Sequence, residues 1–94
     1  MKYSEIMDKV LKVLYDFAEE NGYQEWCDGE EVAHLIRINK IDKLYLVLAD
    51  LAKNHVIEAE GVDLKHEFIV EKVRINANGL RIVEEVGSLD KSEN

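Results

Sequence analysis

The chain has 94 residues, of which 47% are apolar and 34% charged, and its formal net charge is -8. This is the length of one domain with a modest core. With no apolar run near the ~20 residues of a membrane span, no apolar block in the N-terminal MKYSEIMDKV and one cysteine, the composition argues against membrane-spanning, disulfide-stapled and cysteine-caged zinc proteins. The expected compartment is the cytoplasm, with no membrane contact.

Proline is absent, so glycine and asparagine carry the punctuation. Ile6, Val10, Leu14 and Phe17, with Met7, Leu11 and Ala18 beside them, recur at helical spacing and predict a helix over 4–20. Ser4 is its expected N-cap and Asn21-Gly22 its stop. Tyr23 to Cys27 reads as a short extended piece or edge strand. Asp28-Gly29-Glu30-Glu31 has the form of a capping box and predicts a short helix over 29–36, with Val32, Leu35 and Ile36 inward. Arg37-Ile38-Asn39 breaks the pattern. Asn39 is then expected to cap a helix over 40–53 whose buried stripe is Ile41, Leu44, Tyr45, Leu48, Leu51 and Ala52. Leu46, Val47 and Ala49 widen that stripe beyond what one core needs.

The last third changes period. Residues 56–60 and 68–75 read as two strands joined by a seven-residue loop over 61–67. Asn76 is expected to cap a short final helix, with Leu80 and Val83 packing back. The domain is expected to span 1–86 and to be followed by a flexible polar tail over 87–94. The predicted class is α+β: a three-helix core that buries Leu14, Leu35, Leu48 and Leu51, closed by a C-terminal hairpin through Val56, Val73 and Ile75.

Charge is unevenly spread. Residues 1–36 set three lysines against nine acids, whereas 37–55 carry Arg37, Lys40, Lys43 and Lys53 against Asp42 and Asp50 only. Catalytic chemistry is not indicated. The acids are scattered on helix faces, and no Gly-rich phosphate loop, nucleophile elbow or His-Glu pair is present. His34, His55 and His66 lack ligand spacing, and Cys27 has no histidine beside it, so no metal, cofactor or reactive thiol is expected.

Two helices joined by about three residues, with a hairpin directly after, form a helix-turn-helix followed by a wing. On Asp28 to Ile36, Leu44 to Ile57 and Val73 to Leu80, the chain resembles the winged helix-turn-helix superfamily, small regulators of microbes and their viruses. The resemblance spans about residues 5–86. It implies a positioning helix at 28–36, a recognition helix at 40–53 and a wing between the two strands. By the same resemblance, Arg37, Asn39, Lys40 and Lys43 fall where such motifs reach bases and phosphates, and Lys65 falls at the wing tip. The implied function is that of a transcription regulator reading double-stranded DNA as a homodimer on a palindromic site. Asp42 and Asp50 dilute the basic residues of the helix, and Asp63 and Glu67 those of the wing.

A second expectation therefore stands beside the first: an acidic winged-helix module that docks on a protein partner and binds no DNA. Tyr3, Tyr23, Trp26, Leu46, Val62 and Leu64 lack an obvious place in so small a core, and could either be isolated exposed groups or merge into a dimer or partner patch. Asn39 either reads a base or caps a helix. Arg74, on a strand, either pairs with an acid or faces solvent.

Overall fold

The computed structural model describes residues 2–64 and 67–86, the side chains of 62–68 and 86 apart. Lys65, the hairpin tip around it and the tail 87–94 lie outside the described residues, as do the side chains of Val62 and Leu64. The class is α+β. Among the described residues, helices α1 (Tyr3–Asn21), α2 (Gly29–Ile36), α3 (Ile41–Lys53) and α4 (Ala77–Val86) accompany strands β1 (Cys27–Asp28), β2 (Ile57–Leu64) and β3 (Glu67–Ile75). The sheet is antiparallel in the order β1-β3-β2.

Helix α1 buries Ile6, Val10, Leu11, Leu14 and Ala18, one stripe at three- and four-residue spacing. It stops at Gly22, which takes φ 112° and donates its N–H to the Ala18 carbonyl at 2.8 Å. The helix starts two residues earlier than Ser4 would have it. Lys2 stands at the N-cap, and its backbone N–H donates to Glu5 Oε1 at 2.8 Å.

Beyond Gly22 the chain crosses to the sheet, where Cys27 and Asp28 pair with Val73 and Lys72 of β3. Cys27 is buried, and burial, with Glu31 and Asp28 nearby, pushes its thiol up to about 11. A thiol so held is protonated and inert at neutral pH. Helix α2 begins at Gly29 directly on β3: a Cβ at Gly29 would meet the Val70 carbonyl oxygen. Glycine permits that close approach. The expected Asp28–Glu31 box is not formed, because the Asp28 side chain makes no capping bond.

The core takes Val32, Ala33 and Ile36 from α2, Leu44, Val47, Leu48 and Leu51 from α3, and Val56, Ile57, Val70, Val73 and Ile75 from the hairpin. Two assignments change. Leu35, expected inward, is 50% exposed; an eight-residue helix wedged between α1 and β3 needs only the face that Val32, Ala33 and Ile36 supply. Val47, expected as surplus, is fully buried. It faces inward with Leu44, Leu48 and Leu51, because α3 is packed by α1 as well as by both long strands.

The hairpin is longer than the sequence predicts. Pairing runs from Ile57↔Ile75 to Leu64↔Glu67, so residues 61–64 belong to a strand and not to a seven-residue loop. A register shift at Glu60/Gly61 leaves Glu71 without an opposite residue, a β-bulge that bends the ribbon. Trp26 finds a place at its base. Its ring lies under the Arg74 guanidinium at 4.2 Å and near Lys72 Nζ at 5.0 Å, while Arg74 Nε pairs with Glu58 Oε1 at 2.7 Å and Nη1 donates to the Gln24 carbonyl at 2.8 Å. Helix α4 is capped as expected, the Gly79 N–H donating to Asn76 Oδ1 at 3.0 Å. Leu80, Ile82 and Val83 pack against the core.

Candidate nucleic-acid interface

The link between α2 and α3 is a true corner, and its hydrogen bonds explain it. Arg37 takes φ 60° and ψ 44°, the left-handed region. Its N–H donates to the His34 carbonyl at 3.2 Å, and the Ile38 N–H donates to the Ala33 carbonyl at 3.1 Å. Together these are the paired bonds of a Schellman motif, with arginine in the place that glycine usually takes. Ile38 is half-buried against the core and pins the corner, which leaves Arg37, Asn39 and Lys40 exposed on its outer side.

The chain then turns into α3 through Lys40, whose carbonyl accepts from Lys43 N–H at 3.1 Å and Leu44 N–H at 3.2 Å. Lys40, not Asn39, is the N-cap residue, and no side chain caps α3. The Asn39 amide is thus not occupied as the cap that the sequence suggests.

These residues meet around one groove. A cleft of about 340 Å³ is lined by Arg37, Asn39, Lys40 and Lys43, with Ile6 and Ile38 at its floor. Four of the five predicted contact residues are therefore brought together; the fifth, Lys65, lies outside the described residues. Lys43 is half-buried and engaged within the fold. Glu30 and His34 face the corner from α2 across a neighbouring cleft.

Lys9 and Lys12 join this surface without a signal in the sequence. With Val13, Leu35 and Ile36 they line a third groove, of about 370 Å³, that reaches Arg37 from the α1 side. Their spacing marks them as one face of a helix, but nothing in the sequence tells which face of α1 abuts α2.

The outer face of α3 beyond its first turn is different. Asp42 is exposed, Leu46 is 65% exposed, and Ala49 and Asp50 are half-buried. Asp50 accepts from the Tyr3 hydroxyl at 2.8 Å and from Asn54 Nδ2 at 3.2 Å. Burial first, then this hydrogen bond and the Asp50 charge, push Tyr3 up to about 12. Arg74, fastened between Glu58, Gln24 and Trp26, is an internal strut of the surface. Among the described residues no group of three His, Cys, Asp or Glu is placed to hold a metal, and no helix is long and apolar enough to cross a membrane. No family model, curated protein or solved structure matches the chain.

Proposed function

We propose that this chain is a winged helix-turn-helix protein that binds double-stranded DNA and regulates transcription, with α3 as recognition helix and the β2–β3 hairpin as wing. The observation that carries the reading is the left-handed corner at Arg37, which gathers Arg37, Asn39, Lys40 and Lys43 around the leading end of α3. In this mode the first residues of the second helix contact base edges, and its N-terminus favours phosphate. Arg37 and Lys40 hold phosphates. Asn39, free of capping duty, has the donor–acceptor amide that adenine recognition uses. Lys43 exchanges its internal contact for the duplex. With so few cations, one domain binds weakly, so two copies act together on a palindromic site.

The test is a binding titration against a pool of random duplexes at low salt, with the Lys40→Glu/Lys43→Glu variant alongside. Wild type is expected to bind and the variant to lose binding entirely, with its fold intact by circular dichroism. Failure of wild type to bind any duplex at low salt would overturn the reading.

One observation favours the alternative of a protein-docking module. Leu46 stands highly exposed in mid-helix between Asp42 and Asp50, an apolar group rimmed by acids, which suits a protein surface better than a phosphate backbone. If that reading holds, Leu46→Glu abolishes partner binding, whereas Lys40→Glu/Lys43→Glu leaves it unchanged.

A further inference from the structure

The outward face of α1 carries a charge pattern that complements itself. Along its length stand Lys9, Lys12, Asp16 and Glu20, all exposed and spaced three and four residues apart. At ~3.6 residues per turn they form one stripe, with cations in the first half of the helix and acids in the second. Among the described residues, neither lysine has an ion-pair partner within the molecule. Beside the first, cationic half of the stripe lies the groove lined by Lys9, Lys12, Val13, Leu35, Ile36 and Arg37. Leu35 lies half in solvent there, although neighbouring Ile36 is buried.

The geometry points to a second copy of this chain as the occupant of that face, with the two α1 helices antiparallel about a two-fold axis that crosses the stripe between Lys12 and Asp16. Antiparallel pairing sets Lys12 against Asp16 of the second copy and Lys9 against its Glu20. The same contacts then recur by symmetry, as an isologous interface requires. A parallel arrangement would oppose like charges. The axis lies in the contact plane and crosses α1 at right angles, so α2 falls on the same side in both copies. Leu35 of each copy then borders the contact beside its own groove. Val13 and Leu35 of the two grooves supply the apolar burial and the charged pairs set the register. This surface is distinct from the exposed face of α3 but adjoins the corner through Arg37, which lines the groove, and the inference does not depend on DNA binding.

The experiment is solution mass by light scattering and sedimentation at about 100 µM protein and about 50 mM salt, where exposed charges are weakly screened. Wild type is expected at twice the 10.8 kDa chain mass, dissociating as salt rises. Lys12→Glu alone and Asp16→Lys alone each place like charges opposite one another, and each should weaken the dimer at least about tenfold. An equimolar mixture of the two variants should dimerise again. In the mixed dimer the two substituted side chains face each other with opposite charge, and the unchanged Asp16 of one copy faces the unchanged Lys12 of the other. Leu35→Glu should give monomer that no charge swap rescues. A wild type that stays monomeric, a dimer indifferent to Leu35→Glu, or a mixture no tighter than its components overturns the inference. So does a Lys12→Glu variant that loses duplex affinity at unchanged mass, which would make Lys12 a phosphate contact instead.

Discussion

Arg37 and His55 are the two non-glycine residues with positive φ among those described, at 60° and 62°. Each closes a helix by the same pair of bonds. At the end of α3 the His55 N–H donates to the Ala52 carbonyl and the Val56 N–H to the Leu51 carbonyl, both at 3.0 Å. A side chain in this region costs about 1 kcal/mol against glycine. His55→Gly is therefore expected to raise stability by about 0.5–1 kcal/mol, a gain of several degrees in Tm, since the His55 side chain is exposed and its carbonyl stays available. Thermal unfolding of the variant checks this. Neither corner was legible as left-handed backbone, because arginine gives no such signal and histidine only a weak one; only the break in apolar spacing marked the first. Leu35 and Val47 show a second limit. Periodicity names the apolar residues of a helix, but the neighbours that pack on it decide how wide a stripe is buried.

At the scale of elements, Asn76 does more than begin α4. Its Oδ1 caps the helix, and its Nδ2 donates to the His55 carbonyl at 2.8 Å, where Asn78 Nδ2 also donates at 2.9 Å. The start of α4 is thus tied to the end of α3. Gly79 lets the two approach, since a Cβ there would lie 2.5 Å from the Val56 carbonyl oxygen. Asn76→Ala is expected to cost about 1–2 kcal/mol, and hydrogen exchange should show α4 opening more readily than α1. Equal protection of α4 in variant and wild type would contradict this. The cap was legible from an asparagine placed before a helical pattern, a signal that held at Asn76 and failed at Asn39. The length of the hairpin was not. Gly61 and Asp63 are turn-forming residue types, yet the backbone through Leu64 pairs with β3 across a bulge. Pairing between distant segments overrides local preference there.

For the molecule as a whole, the helix order, the corner and most of the core were written in apolar spacing. The grouping of Lys9 and Lys12 with the corner was not, because it depends on how α1 is rotated against α2. The resulting charge distribution is lopsided. The chain carries a net -8, yet Arg37, Lys40 and Lys43 meet at the leading end of α3. A duplex held there is held mainly by phosphate contacts, and each contact releases counterions.

The salt dependence of duplex affinity is the most direct test of that assignment. With three to four phosphate contacts per copy, affinity should fall about 40- to 150-fold per copy between about 50 and 200 mM salt, and Lys40→Gln should reduce the logarithmic slope by about one. A salt slope near zero, or one that Lys40→Gln leaves untouched, would contradict the placement of DNA at this corner.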